Sequence, residues 1–405
     1  VQNRVVYLVA AMMLLVFHVA AFVQQWRTQG SRPVQHSQSL LLVLFIAPLG
    51  AILFVRAQHL QPQLGIVRAV VCLDAEDGQL LWKSPLYVAP TEKKHSLNSL
   101  ATPTPACDEE RVYAYFGSGL AALDLKGRVL WLKRDDEFRD YIRYGAGSSI
   151  ALADDRILIY RDSEFMGHGD HLDDDIAVQT NRRPSILIAF DKKTGNEVWR
   201  ITPAFSHDSY MTPLVWTRDG QREVVVATWK TLAGFALSDG SLRWSHPYPM
   251  QQIVPSPAVH GDFLFVTGGN SLPSPLFAIR APTASTPAQT VWSNSKTGGN
   301  IVSPVCWNGL LFSTNHLGIL TCRDAESGRI HWTKRLHGRC LASLVVGDGK
   351  LYAVDQEGTL QVFAATQEET ELATLALREP CAATPALVKG RVFVRTASHL
   401  HCLGD

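Results

Sequence analysis

The stretch Cys322-Arg-Asp-Ala-Glu-Ser-Gly-Arg-Ile-His-Trp332 decides the fold. Its residue types predict the end of one β-strand, a tight turn and a second strand that carries a tryptophan. Asp324 can hydrogen-bond the backbone of the turn, and Gly328 supplies the positive φ that a tight hairpin favours. Trp332 then presents a large, flat apolar surface to a neighbouring element.

The same unit recurs along the chain, so the sequence is an array of one repeat. Copies with the same spacing of Asp, Gly and Trp begin at Asp74 and Asp191, and a copy one residue shorter begins at Asp124. One copy has Ala236 in place of the aspartate, and another keeps only its tryptophan. The repeat tryptophans are Trp82, Trp131, Trp199, Trp244, Trp292 and Trp332.

A second unit also recurs: a segment of small residues or proline, then a turn, then a strand of alternating apolar residues. Each copy is followed by a third strand and, except for the last copy, by a fourth strand. Four strands repeated every roughly 40–50 residues predict a β-propeller. The seven copies begin at Thr102, Gly145, Met211, Val254, Val302, Leu341 and Ala383.

The two ends of the array predict how the propeller closes. The strand around Trp82 has no first two strands before it, and the set from Ala383 to Leu403 has no fourth strand after it. If these ends pair, residues 66–405 form an all-β, seven-bladed propeller of four-stranded antiparallel blades. However, residues 67–73 and 400–403 both look like third strands, which is one more than seven blades need. An eight-bladed propeller with one incomplete blade is the alternative.

Two apolar runs precede the repeats. Residues 5–23 and 39–55 are each close to the length that crosses a bilayer as a helix. We therefore expect a membrane hairpin of two transmembrane helices over residues 1–59, followed by a linker at 60–65. A signal peptide is the alternative for the first run. Because the chain begins with valine, a further interpretation is that it is the later part of a longer protein.

Composition argues against several classes of protein. The formal net charge of +1 gives no strong attraction to nucleic acid, so we expect no nucleic-acid partner. The seven cysteines include no Cys-x-x-Cys pair, which argues against a zinc ribbon, a c-type haem site and a dense disulfide framework. Cys72, Cys322 and Cys402 fall at the same place in their repeats, where we expect small buried apolar side chains.

The pattern Leu-Asp-x-x-x-Gly-x-x-x-Trp, found from Leu73 to Trp82, resembles the pyrroloquinoline quinone (PQQ) repeat of bacterial β-propellers. That family includes quinoprotein dehydrogenases, the outer-membrane-protein assembly lipoprotein and membrane-anchored propellers without assigned activity, and this chain looks most like the last group. The resemblance implies that the repeat tryptophans pack between neighbouring blades and that the propeller is periplasmic. PQQ itself is not expected, because the dehydrogenases hold it against a disulfide of adjacent cysteines and no two cysteines are adjacent here.

The stretch from Tyr160 to Pro184 makes its blade about 20 residues longer than the others, and long insertions in compact repeats are often functional. Its imidazoles and carboxylates together suit a divalent metal such as zinc, manganese or iron. A solvated acidic loop that binds no metal is the alternative. The candidate ligands are His168, Asp170, His171, Asp173, Asp174 and Asp175.

Two more polar segments lie just before first strands. Loops on one face of a propeller converge around its central channel, so these segments and the acidic loop are expected to share a ligand face. For the two histidines, hydrogen bonding within their own loops is the alternative. The candidate residues of this face are His95, Asn98, His207, Asp208 and Tyr210.

Two functions of different classes follow from these patterns. The first is a membrane-anchored, non-catalytic scaffold that binds a protein partner through its blade loops. The second is a metal- or quinone-dependent enzyme or sensor module that uses the loop 168–175. No nucleophile elbow supports a hydrolase, and no residue is assigned a catalytic role.

Overall fold

The strands of this protein are short, antiparallel and follow one another in space as they do in the chain. The computed structural model describes residues 43–46, 51–61, 65–90, 94–95, 98–135, 138, 145–162, 184–204, 209–250, 252–269 and 273–404. Side chains are described from residue 65 onward. Within those ranges, no helix has the length and apolar character needed to cross a bilayer.

The described strands form seven four-stranded antiparallel blades and a last, three-stranded sheet, which confirms the all-β propeller. Blades 1 to 3 contain β1 (Val43–Ile46), β2 (Ala51–Gln61), β3 (Gly65–Asp74) and β4 (Leu80–Ala89); β5 (Ala106–Cys107), β6 (Arg111–Tyr115), β7 (Leu120–Asp124) and β8 (Val129–Lys133); and β9 (Ala151–Ala153), β10 (Arg156–Arg161), β11 (Ile186–Asp191) and β12 (Glu197–Ile201).

Blades 4 and 5 contain β13 (Leu214–Arg218), β14 (Gln221–Thr228), β15 (Thr231–Ala236) and β16 (Leu242–Pro247); and β17 (Ala258–His260), β18 (Phe263–Thr267), β19 (Ser274–Arg280) and β20 (Gln289–Gly298). Blades 6 and 7 contain β21 (Val305–Trp307), β22 (Leu310–Thr314), β23 (Ile319–Asp324) and β24 (Ile330–Arg335); and β25 (Val345–Gly347), β26 (Lys350–Val354), β27 (Thr359–Ala364) and β28 (Glu371–Ala376). The last sheet contains β29 (Ala386–Val388), β30 (Arg391–Arg395) and β31 (Leu400–Leu403).

Residue pattern explains the position of each strand in its blade. The second and third strands are almost continuously apolar, and they are buried, as in β6 and β7. The fourth strands alternate polar and apolar residues, and most of their side chains are exposed. First strands of neighbouring blades lie side by side, so they are the innermost strands of the propeller.

The transmembrane helix predicted over residues 39–55 is not confirmed. The described parts of this stretch are β1 and β2, which pair with each other and, through β2, with β3. A continuous apolar run is compatible with a strand that is buried on both faces as well as with a helix. In the sequence, Pro48 and Gly50 interrupt this run. Within the predicted linker at 60–65, residues 60 and 61 belong to β2 and residue 65 begins β3. The helix predicted over residues 5–23 lies outside the described residues.

In the part of the chain that the structure describes, the ends of the propeller contact each other by packing, and β4 does not pair with the last sheet. β4 pairs with β3 inside blade 1, and the innermost strand β1 lies beside β29. Val71 and Ala75 of blade 1 bury apolar surface against Phe393 of the last sheet. The Arg391 guanidinium donates to the main-chain carbonyl of Ala75 at 3.3 Å. The seven four-stranded blades agree with the predicted seven-bladed propeller, and the three-stranded sheet is additional to them.

Five of the repeat tryptophans reach into the next blade. The indole N–H of each donates to a main-chain carbonyl in the turn between the third and fourth strands of that blade. The pairs are Trp82 with Leu125 at 3.0 Å, Trp131 with Lys192 at 3.2 Å, Trp199 with Leu237 at 2.9 Å, Trp292 with Ala325 at 3.1 Å and Trp332 with Thr366 at 3.1 Å.

Trp244 differs, because its indole N–H donates to the Glu223 carboxylate of its own blade at 2.8 Å. The next blade has no Asp-x-x-x-Gly turn at this point, since a longer segment separates β19 from β20. Arg218 spans the junction instead, and its guanidinium donates to the Pro282 carbonyl at 2.6 Å. The same side chain also contacts Glu223 at 3.4 Å, so the arginine and the tryptophan share one buried carboxylate.

Candidate functional site

Strand order places the described ends of the predicted site segments on one face of the propeller. In each antiparallel blade, the loop between the second and third strands emerges on the same side as the loop that leads to the next blade. The insertion after β10 is a loop of the first kind, and the segments around His95 and Tyr210 are loops of the second kind. We call this side the loop face. Tight hairpins between first and second strands lie on the opposite side, the hairpin face.

A buried carboxylate ties two of these loops together at their bases. Asp162 is 1% exposed and lies at the start of the insertion. Its carboxylate accepts hydrogen bonds from the Tyr160 hydroxyl at 3.0 Å, from the Ser209 backbone N–H at 2.6 Å and from the Ser185 hydroxyl. Ser185 lies just after the insertion, so one carboxylate joins both ends of that loop to the segment that follows it in the next blade junction.

A neighbouring arginine strengthens this base. The Arg161 guanidinium donates to the main-chain carbonyl of Pro184 at 2.5 Å, and Arg161 is itself buried. A carboxylate that accepts several hydrogen bonds inside the protein fixes its partners firmly, because losing any of them leaves a buried polar group unsatisfied. The insertion therefore starts and ends at a rigid, hydrogen-bonded base.

The described candidates of the ligand face have different environments. His95 is exposed, and its carbonyl accepts the backbone N–H of Asn98 at 3.0 Å, so these two residues share one turn. Tyr210 is only 6% exposed, and its backbone N–H donates to the Ile253 carbonyl at 2.7 Å. Its side chain packs against Gly147, where an added Cβ would lie 3.1 Å from the ring. Tyr210 therefore has a packing role as well as a place near the loop face.

The remaining candidates fall outside the described residues. These are His207 and Asp208 of the second loop and the six candidate metal ligands, His168, Asp170, His171, Asp173, Asp174 and Asp175. Among the residues that are described, no group of three or more His, Cys, Asp or Glu side chains is arranged to hold a metal ion.

A belt of hydroxyl groups, which the sequence interpretation missed, links the blades beneath the loop face. Each member lies two residues before a first strand, and the backbone N–H of every member except the last donates to the hydroxyl of the equivalent residue in the next blade. The six hydrogen bonds measure 2.8–3.1 Å. The signal in the sequence that predicts this belt is a Ser or Thr at the same position of all seven repeat copies. The belt residues are Thr104, Ser149, Thr212, Ser256, Ser303, Ser343 and Thr384.

The described residues do not fit a PQQ site. The cysteines in the described part of the chain form no disulfide. The indole rings at the repeat positions contact glycines in neighbouring turns, as Trp131 contacts Gly195 and Trp292 contacts Gly328. Burial raises the pKa of the Cys322 thiol to about 12, which suits a small core residue better than a reactive one.

These features define a class of protein: a repeat propeller whose blades are joined by tryptophans and hydroxyls and whose longer loops share one face. The chain belongs to the PQQ-repeat family whose model is described as outer membrane protein assembly factor BamB. That model matches residues 21–164, 163–282 and 279–398. None of the curated proteins compared with the chain matches it.

Solved structures show the same fold at low sequence identity. BamB from Moraxella catarrhalis is 12% identical with a TM-score of 0.58, and the match covers 90% of this chain and 96% of that one. The computationally designed Ika8 protein is 11% identical with a TM-score of 0.64, covering 92% and 98%. Sqt1 from Saccharomyces cerevisiae is 9% identical with a TM-score of 0.63, covering 92% and 97%.

Proposed function

We propose that this protein is a non-catalytic scaffold that is anchored at a membrane and binds a protein partner through its loop face. The observation that carries the proposal is the rigid base under the loops: the Asp162 network ties the insertion and the segment before Ser209 to one point. A rigid platform that presents long loops is the usual arrangement of a binding surface, because the scaffold holds the loops in a fixed relation.

Family membership supports a role in assembly at a bacterial envelope. The family description names an outer membrane protein assembly factor, and one similar structure carries the same name. We place the propeller in the periplasm for this reason. The apolar residues 5–23 are the proposed anchor, since they are long enough to cross a bilayer.

Face-specific photo-crosslinking in cells tests the binding proposal. A photoreactive residue at His95 reports on the loop face, and one at Asp348, whose side chain is 94% exposed, is the matched control on the hairpin face. We expect one discrete protein adduct from position 95 and none from position 348. Replacing residues 163–183 by a short linker should abolish that adduct. Equal adducts from both faces would overturn the proposal.

The metal-dependent alternative is tested on the same protein. Elemental analysis of the purified full chain, with and without chelator, should show no stoichiometric divalent metal. One equivalent of metal that disappears in a His168→Ala, Asp173→Ala double variant would favour the metal module over the scaffold. Because the crosslinking readout is independent of metal content, the two experiments separate the hypotheses.

A further inference from the structure

Two histidines lie side by side at the loop-face end of the last sheet. His399 is the last residue before β31, and His401 is the second residue of that strand. Residues i and i+2 of a strand point to the same face, so both imidazoles lie on one side of the sheet. Their ring centroids are 6.0 Å apart, and the ring planes make an angle of 51°. Two imidazoles this close on one face can share a single ligand.

One carboxylate orients the first imidazole. Glu379, in the segment between β28 and β29, lies 2.5 Å from Nδ1 of His399. An ionised carboxylate only accepts hydrogen bonds, so neutral His399 donates from Nδ1 and keeps the lone pair of Nε2 for a ligand. The same carboxylate accepts from the Thr396 hydroxyl at 2.6 Å and from the Ser398 hydroxyl at 2.8 Å. Its position is therefore fixed by groups other than His399.

The Thr396 hydroxyl extends this arrangement to the second imidazole. Its single proton goes to the nearest and charged acceptor, Glu379, so it accepts a hydrogen bond from Nε2 of His401, which lies 3.3 Å away. His401 then donates from Nε2 and keeps the lone pair of Nδ1. Both imidazoles are thus oriented through one carboxylate, and each retains one nitrogen that can coordinate a ligand.

We propose that His399 and His401 bind a divalent transition-metal ion, with Glu379 as the carboxylate behind the first ligand. Imidazole suits zinc, copper and nickel ions, and a metal-bound histidine usually donates its other N–H to a carboxylate, a main-chain carbonyl or water. Glu379 serves as this hydrogen-bond acceptor and not as a ligand. The site therefore has two protein ligands, in keeping with the absence of any three-residue metal cluster in the described part of the chain.

The spacing of the two rings fits one shared ion. At the usual metal–nitrogen distance of about 2.0–2.1 Å, an ion lies about 3.2 Å from each ring centroid, so the centroids can be up to about 6.4 Å apart. The observed 6.0 Å is within that limit. A tetrahedral angle at the ion brings the centroids to about 5.2 Å. The His399 side chain is 67% exposed, so it has room for the small rotation that this requires.

This site is separate from the candidate ligands of the insertion after β10, and it does not depend on the proposed function. The two histidines belong to the loop between β30 and β31 and to β31 itself. Because only two protein ligands hold the ion, it exchanges readily and is lost during purification. Adding metal to the protein therefore detects the site, whereas analysis of the purified chain does not.

Calorimetric titration of the tag-free full chain with Zn²⁺ tests the site. We expect one equivalent of Zn²⁺ to bind, and we expect His401→Ala to abolish that binding. His95→Ala is the matched control, because it removes an exposed histidine of the same face and should leave binding unchanged. Glu379→Gln keeps both imidazoles and should weaken binding by about 10–100-fold. Circular dichroism of each variant checks that the fold is retained.

Cu²⁺ in place of Zn²⁺ counts the ligands. The electron paramagnetic resonance spectrum of the full chain with one equivalent of Cu²⁺ should show splitting from two nitrogen ligands, and His399→Ala should leave one. The His168→Ala, Asp173→Ala double variant should bind as the unmodified chain does, because its changes lie in the insertion. No binding of either ion, binding that His401→Ala leaves unchanged, or binding that the double variant loses would overturn the proposal.

Discussion

The contact between Trp292 and Gly328 joins blades 5 and 6, and a double-mutant cycle measures its strength. A Cβ built on Gly328 would lie 2.7 Å from the indole ring, and the glycine has a φ of +73°. The indole N–H donates to the Ala325 carbonyl at 3.1 Å. A methyl group at Gly328 therefore meets two separate penalties, one from the left-handed backbone and one from the ring.

The magnitudes follow from these two penalties. We expect Gly328→Ala to lower the free energy of unfolding by about 2–4 kcal/mol, of which about 1–2 kcal/mol is the backbone term and the rest is overpacking. Trp292→Ala removes a half-buried indole and its hydrogen bond and should cost about 2–3 kcal/mol. In the double variant the ring is absent, so the combined loss should fall short of the sum by about 1–2 kcal/mol.

Urea unfolding followed by far-ultraviolet circular dichroism provides the free energies. Gly349→Ala is the matched control, because Gly349 has a φ of +68° and nothing within 4 Å of an added Cβ among the described residues. It should show the backbone term alone. A coupling energy below about 0.5 kcal/mol, together with equal costs at Gly328 and Gly349, would refute the view that tryptophans dock the blades.

Three further predictions concern the belt, the loop base and the turns. Ser256→Ala removes the hydroxyl that accepts a backbone N–H of blade 4 and should cost about 1 kcal/mol of unfolding free energy, whereas Ser256→Thr should cost less than half of that. Equal costs would contradict the belt. Asp162→Asn leaves one carbonyl oxygen for three donors, so we expect a loss of about 2–3 kcal/mol and faster deuterium exchange at the Ser209 N–H; unchanged exchange would argue against the anchor. Hydrogen bonds from the Ser327 hydroxyl and backbone hold the pKa of Asp324 below its usual value. Such a group stabilises the fold above its unfolded pKa of about 3.9 and loses this effect as the pH falls through the folded pKa. The difference in urea midpoint between the unmodified chain and Asp324→Asn should therefore shrink on acidification from about pH 5 to below the folded pKa, and a constant difference would contradict this assignment.

The repeat unit predicted most of the fold because its physical roles are local. Asp324 bonds its own turn, Gly328 adopts the positive φ, and Trp332 is 8% exposed between two blades. These roles need only the residues of one hairpin and an apolar surface on the neighbouring blade. The spacing of the residues in the sequence is therefore enough to predict them. Trp244 departs from the pattern because its indole N–H donates to Glu223 on another strand, and no local sequence pattern predicts that partner.

Hydrophobicity alone could not distinguish the possible environments of residues 39–55. The apolar residues of β1 and β2 fit a lipid environment as well as a strand between two other strands. Only pairing with β3 decides between them, and that pairing is not local. The two third strands noticed in the sequence, β3 and β31, belong to different sheets.

The sequence predicts where the candidate site lies but gives no sign of how its loops are anchored. An insertion of unusual composition pointed to the loop after β10, and strand order places it with the other long loops. The network around Asp162 joins residues from three separate segments, so sequence spacing gave no sign of it. The hydroxyl belt was visible as a repeated Ser or Thr, but its meaning required the geometry between blades.

The most direct test of the proposed scaffold is deuterium exchange of the full-length protein, free and bound in isolated cell envelopes. We predict that binding slows exchange on the loop face, in residues 94–98 and 209–212, and leaves the hairpins at 154–155, 219–220 and 348–349 unchanged. Protection confined to those hairpins, or identical exchange in the two states, would contradict a loop face that binds a protein partner.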